Sequence, residues 1–447
     1  MRMKFSRSSQ LILAAAGSLL AASLITACET LTVDFVFVTS SRAAGTNNYG
    51  EIDVFEINSE SGRMRQIPTS PFPSQGRDPV AEAVSTDYQN LFVVNQDDNT
   101  IVQFVIGTDG KLYPYNTVNT PGIFPLAITA DKANAFVLDT YQPLPLCSTA
   151  DPCSGSIAVF PLTTGSSNSS TCTATVCLPP TAATNPAVGG QYWPLTLPSA
   201  PEDVIVPTAV NVLGSGAYVY VTAYDSSVTP SAGYVFGFSI APPATATVAP
   251  GGVCPASGPI PANVLPSGTL CPLNGGVPFP AGVQPSAIAS GSSTSNGIYY
   301  VYATDFSKGN VLGYTVASSG NLTALSGSPY PSGNQPSAIA VDPTYPYAYV
   351  ANSLDSTVTV FSMSSGVLSS VGAFATGLQP VAMGIDPSTN HFLYTANFLD
   401  NDVSGFLIST TAGTLLDSQF SPYAASAQPT AVAAVPHNGT GGGIESQ

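Results

Sequence analysis

Gln335-Pro336-Ser337-Ala338-Ile339-Ala340-Val341-Asp342-Pro343 leads into Tyr347-Ala348-Tyr349-Val350-Ala351-Asn352. Ser353-Leu354-Asp355 follows, then Val358-Thr359-Val360-Phe361 and a turn over Met363–Gly366. The next stretch repeats the pattern. Gln379-Pro380-Val381-Ala382-Met383-Gly384-Ile385-Asp386-Pro387 precedes Phe392–Asn397, Phe398-Leu399-Asp400 and Val403–Phe406. Apolar residues alternate with period two, as half-buried strands require, and Asp-Pro and Ser-Gly pairs punctuate them. Each unit therefore holds about four short strands of a meander.

Working outward, the proline before the first strand recurs at Pro79, Pro125, Pro201, Pro285, Pro336, Pro380 and Pro429. Four spacings are 44–51 residues and two are 76 and 84. The short ones fit a four-stranded propeller blade. The long ones hold insertions at 143–200 and 242–282. Second strands read as Phe35–Thr39, Leu91–Asn95, Ala135–Asp139, Ala217–Thr222, Ile298–Thr304, Tyr347–Asn352 and Phe392–Asn397, which makes seven. The first unit lacks a first strand, and the last marker, Gln428-Pro429, starts one with nothing after it. Joining the two completes a ring and removes its exposed edge. The expectation is an all-β chain, a seven-bladed β-propeller over 33–436 closed by its C-terminal strand, with a flexible tail over 437–447.

These units, with Leu325–Pro331, Gln335-Pro336, Tyr349–Asn352 and Val358–Phe361, resemble the lactonase-type (6-phosphogluconolactonase-like) seven-bladed propellers and the YVTN β-propeller repeat. The resemblance implies an Arg-His pair just after the marker proline, with further Arg and Glu near the channel. Here those positions hold Val80-Ala81, Leu126-Ala127, Glu202-Asp203, Ser286-Ala287, Ser337-Ala338 and Val381-Ala382. The only histidines are His391, in a turn on the face away from the expected mouth, and His437, in the tail; both are expected to face solvent. Lactone opening wants a base for water and donors for the oxyanion, and a serine nucleophile wants a histidine. The family's catalytic set is not recoverable, so the catalytic residues stay unknown.

Composition bounds the partners. Charged residues are 8% and hydrophobic residues 44%, with 40 Gly and 40 Pro. That is a turn-rich surface on a well-supplied core, neither disordered nor a helical bundle. Ten basic residues stand against 26 acidic ones, net −16. Such a chain repels phosphate backbones, so nucleic acid is excluded, and it repels anionic head groups, so a membrane is reached only through an anchor.

The anchor is legible at the start. Arg2, Lys4 and Arg7 precede an uncharged run from Leu11 to Ala27, ending Leu24-Ile25-Thr26-Ala27-Cys28. Residues 1–27 read as an export signal, and the run before Cys28 resembles the bacterial lipobox, which implies lipidation of Cys28 and a tether over 28–32. Glu29 follows Cys28, which mildly favours the outer membrane, and the chain is placed at the bacterial cell envelope, on the outer membrane or facing the periplasm. Six cysteines remain, an even number suited to an oxidising compartment. All lie in the Pro/Ser/Thr-rich insertions rather than in strands. Local pairing gives Cys147–Cys153, Cys172–Cys177 and Cys254–Cys271, one of fifteen arrangements.

Candidate ligand-binding residues sit in the loops that lead into first strands: Arg77, Asp78, Glu82, Glu202 and Asp203. The second-to-third-strand loops of the same face add Asp97, Asp98, Asp139, Asp225, Asp305, Asp355, Asp400 and Asp402. One reading is turn chemistry, with Asp bonding local backbone; Arg77 would then pair with Asp78. The other is a negative ring that draws in a cation. No cofactor is implied, although a divalent cation would suit such a ring and the metal site is unknown. Three functions follow: a lipid-anchored binding or scaffold module for a small molecule, a divergent lactonase-like hydrolase, and a docking partner of an envelope protein through the insertions.

Overall fold

In the computed structural model the described residues are 32–45, 47–143, 153–165, 174–245, 248, 252–292 and 297–437. The export signal, Cys28, most of the tether and nearly all of the tail lie outside them. Among the described residues there is no α-helix, and no helix is long and apolar enough to cross a membrane.

Seven sheets, each built on a four-strand antiparallel meander, make the blades. Blade 1 runs Pro79–Val84, Asn90–Asn95, Thr100–Ile106 and Leu112–Asn119. Blades 2 to 6 open with Ile123–Ala130, Ile205–Val212, Pro285–Ser292, Pro336–Val341 and Pro380–Ile385. Blade 7 takes its innermost strand, Pro429–Pro436, from the end of the chain and its next, Thr32–Ala44, from the start. The two pair antiparallel, with Phe35 opposite Val435 and Val38 opposite Val432. The seven innermost strands pack one on the next around a closed ring. Seven apolar clusters fill the seven gaps between neighbouring blades. The expected ring and its closure are therefore present.

Register exposes one correction. In every blade a bulge follows the marker proline, because two first-strand residues there oppose one second-strand residue. In blade 3 the proline at that place is Pro207, opposite Ala223, and not Pro201. Pro201 lies in the turn before the strand. Counting from the corrected marker, the second strand carries a fully buried aromatic at one fixed place in all seven blades: Phe37, Phe92, Phe136, Tyr220, Tyr302, Tyr349 and Tyr394. Large planar side chains there bury much apolar area in every blade.

The described parts of the insertions form strands of their own. One carries a ribbon of Thr163–Thr164 with Val176–Cys177, and the other returns through Leu270–Pro272 as the outer strand of blade 3. Cys177 and Cys271 thus lie in short strands, against the expectation that the cysteines avoid them. The Cys254–Cys271 disulfide is formed. Of the other two expected pairs, Cys147 and Cys172 lie outside the described residues.

Candidate functional site

The loops leading into first strands and the second-to-third-strand loops share one face, as expected, and the aspartates there tie them together. Asp98 accepts Arg77 N–H and Arg77 Nε at 2.7 Å each. Asp355 accepts Asn334 N–H at 2.7 Å, and Asp400 accepts Leu378 N–H at 2.6 Å. These are the same contact in three blades. Asp305 accepts Val283 N–H, Asp139 accepts Gly122 N–H, Asp225 accepts Ser227 N–H and Asp402 accepts Asn397 Nδ2. The carboxylates are spent on loop backbone and neighbouring amides, so turn chemistry prevails over an open negative ring. Arg77 pairs with Asp98 and not with Asp78. Among the described residues no group of three or more His, Cys, Asp or Glu is placed to hold a metal ion.

The residue after the marker proline has a structural task. Ser286 Oγ donates to Pro336 O at 2.5 Å, Ser337 Oγ to Pro380 O at 2.6 Å, and Thr430 Oγ1 to Pro79 O at 2.9 Å. Each hydroxyl stitches its blade to the next at the ring's inner edge. In blade 3 the corrected position is Thr208, bonded to Thr222 within its own blade. Glu202 and Asp203 are therefore not at the post-proline position. They sit in the lead-in turn of blade 3, two blades from Glu82, where Glu202 is exposed and Asp203 half-buried. Desolvation and then Asp225 push the Asp203 carboxyl up. Neither joins the other three candidates.

Arg77, Asp78 and Glu82 all belong to the start of blade 1, but Arg77 is held by Asp98 while Glu82 turns into the blade 7–blade 1 gap toward Thr39. Asp78 stands before the marker where blades 4 to 7 have Gln284, Gln335, Gln379 and Gln428. Its backbone is left-handed at φ 49°, and burial, then Asp97, raise its carboxyl. Glu82 is the sharper departure. Three residues after the marker the other blades carry Ile128, Val210, Ile288, Ile339, Met383 and Val432, all of which join the inter-blade cores. Glu82 thus puts a carboxyl into the gap between blades 7 and 1. Thr39 Oγ1 donates to its Oε2 at 2.5 Å, and the Ala433 N–H holds its pKa down somewhat. Its Oε1 is closed off from solvent and has no partner. Burial dominates, pushing the carboxyl up to about 8, with the Thr39 and Ala433 bonds opposing. A carboxyl here is a proton donor at neutral pH.

Thr39 and Ala433, from opposite ends of the chain, were missed by sequence reasoning. Asp139, which the sequence placed among the loop acids, is pushed up by burial to about 7, with the Gly122 N–H opposing. The column of residues three after each marker was the signal that singles out Glu82. His391 is exposed and its ring stacks on Tyr345. His437 is not in a free tail: it is half-buried, its N–H bonds Val33 O, and its ring lies 5.2 Å from that of Phe35.

Residues 313–433 match the family described as "Lactonase, 7-bladed beta-propeller". That stretch carries the lactonase-propeller signature. The stretch runs from blade 4 to the closing strand. Solved structures are similar over nearly the whole chain. The periplasmic gluconolactonase of Pseudomonas aeruginosa aligns at 18% identity and TM-score 0.62, covering 90% of this chain and 99% of that one. Candidate 6-phosphogluconolactonases from Bacteroides fragilis and Bacteroides uniformis align at 17% and 16% with TM-scores of 0.61 and 0.62, each covering 91% of this chain and 99% and 100% of theirs. At such identities the likeness speaks for the seven-bladed fold. No curated protein matches the chain.

Proposed function

We propose that this protein is an exported, lipid-anchored binding propeller whose small-molecule ligand lies in the ring channel, with Glu82 set in the wall between blades 7 and 1 behind it. One observation carries the reading: the repeat is broken at blade 1, where Glu82 replaces an aliphatic residue of the inner ring and keeps an unpartnered oxygen. Positions that break an otherwise consistent pattern without a packing gain mark functional sites. A carboxyl kept neutral by burial adds no charge to the channel wall, so the ligand it suits is uncharged. A phosphorylated ligand is disfavoured by the net charge of −16 and by the commitment of Arg77 to Asp98. The periplasmic relative supports placement at the cell envelope.

A second reading, a divergent lactonase-like hydrolase, is favoured by the pKa of that same carboxyl. A group near 8 exchanges a proton at physiological pH, as general acid–base work requires. Calorimetric titration with δ-gluconolactone, run beside a pH-stat assay of its hydrolysis, separates the two. Binding without turnover, weakened at least tenfold by Glu82→Met, supports the binding module. Turnover that falls with the same change supports the hydrolase. Binding or turnover indifferent to Glu82 in a folded variant would remove Glu82 from the site.

A further inference from the structure

The opening strand, Thr32–Ala44, runs from the face of the first-to-second-strand turns toward the mouth face, where Ser41 N–H bonds Gln428 O. The chain therefore enters the disc on the face opposite Arg77, Asp78 and the Asp98, Asp355 and Asp400 contacts. Three residues separate Cys28 from Thr32. An extended chain gains at most about 3.6 Å per residue, so that link spans roughly 14 Å.

The surface around Thr32 is unlike the rest. Thr32 lines a cleft of about 320 Å³ with Asn58, Glu60, Arg63, Arg65 and Gln419. Beside it Phe420 is 67% exposed, and the Arg63 guanidinium lies over its ring, 4.7 Å from the centroid. Arg65 pairs with Glu56, which leaves Glu60 to balance Arg63. Beyond the export signal the chain has only seven basic residues, and two of them stand here. The patch is locally neutral on an acidic protein. An exposed aromatic ring under an arginine is the side-chain pair that settles at a lipid headgroup layer, ring toward the acyl boundary and guanidinium toward phosphate.

We propose that the Phe420–Arg63 patch rests on the lipid bilayer, so that the disc stands with its Thr32 face on the membrane and its Glu82 channel mouth turned to the aqueous compartment. This rests on the reading that Cys28 carries lipid. The partner is the bilayer surface itself: the link is too short for the disc to turn over, and the Arg63–Phe420 pair, the one arginine–aromatic stack among the described residues, adjoins the point where the chain leaves the disc.

The test uses the mature, full-length protein extracted from bacterial membranes with Cys28 intact. It is reconstituted into phosphatidylethanolamine/phosphatidylglycerol vesicles doped with bromine-labelled phosphatidylcholine. Phe420→Trp places a fluorophore at the patch, and Leu399→Trp places one on the opposite face, where Leu399 is 59% exposed. Trp193, 4% exposed, is the constant background. The expected result is at least twofold quenching by the bromolipid for Phe420→Trp and none for Leu399→Trp. Vesicle-bound protein with Leu399→Trp quenched, or with neither quenched, overturns the docking while leaving the anchor standing. Protein with Cys28 intact that fails to sediment with vesicles overturns the anchor, and the docking with it.

Discussion

Phe35 and Val435 face each other across the antiparallel seam of blade 7, both almost fully buried, one near the start of the described chain and the other near its end. Both belong to the core between blades 7 and 1. The seam makes the ring one cooperative body. Phe35→Ala should therefore destabilise the whole molecule by about 3–5 kcal/mol, as large aromatic truncations in cores do. Urea unfolding followed by far-UV circular dichroism and by Trp193 fluorescence checks it. The two probes should shift together, and a shift in one alone would mean that the ring does not unfold as a unit.

Stability should depend on pH through carboxyls that burial holds protonated. Glu82 is pushed from 4.5 up to about 8, and Asp139 from 3.8 up to about 7. The unfolded chain gives up these protons first. Between the ordinary and the raised values the native state binds more protons than the unfolded state, so stability falls as pH rises. It is highest below about 4.5 for the Glu82 contribution, declines up to about 8, and levels above. Burial raises Asp34 as well, with the Ser388 bond opposing and Asp386 adding to the rise, which gives the same sign. Urea midpoints measured from pH 5 to pH 9 should decline, and Glu82→Gln should flatten the decline.

The Cys254–Cys271 bridge closes a loop over a sequence separation of 17. Loops of that length gain about 3 kcal/mol from cross-linking in the chain-entropy account. Replacing both cysteines by serine should lower the melting temperature, and added reductant should have a smaller effect on that variant than on the parent. Calorimetric scans with and without reductant give the comparison.

The hydroxyl stitches predict a small and local cost. Ser337→Ala removes the bond to Pro380 O and should cost about 1 kcal/mol. Gly366 is harder to change. Its φ is 82°, and a β-carbon there would run into the Tyr300 ring of the preceding blade. Gly366→Ala should cost more than Ser337→Ala, since the backbone strain and the clash add. Denaturant midpoints of the two variants decide the order.

What the sequence reveals is what is local. Strand alternation, the Asp-Pro turns and the unpaired first and last strands lie in contiguous residues, so seven blades and their closure were readable. Pro201 drew the eye because it too stands in a turn before a strand, yet only register places Pro207 in the bulge. The aspartates were visible but their spending was not, because Asp98, Asp139, Asp305, Asp355 and Asp400 each meet a backbone amide about twenty residues upstream. Glu82 was visible as one acid among several. Its isolation among Ile128, Ile288 and Ile339 needs the blades overlaid, and its bond to Thr39 needs the ring closed.

The seam also sets an order of events. A ribosome or translocon delivers residue 35 first and residue 435 last. The opening strand must then wait, one hydrogen-bonding edge bare, while six further sheets are made. An unpaired edge of that kind invites association with other chains. Time spent in transit is thus the vulnerable interval of this protein, and holding factors that shield extended segments matter more to it before the final strand arrives than at any later moment.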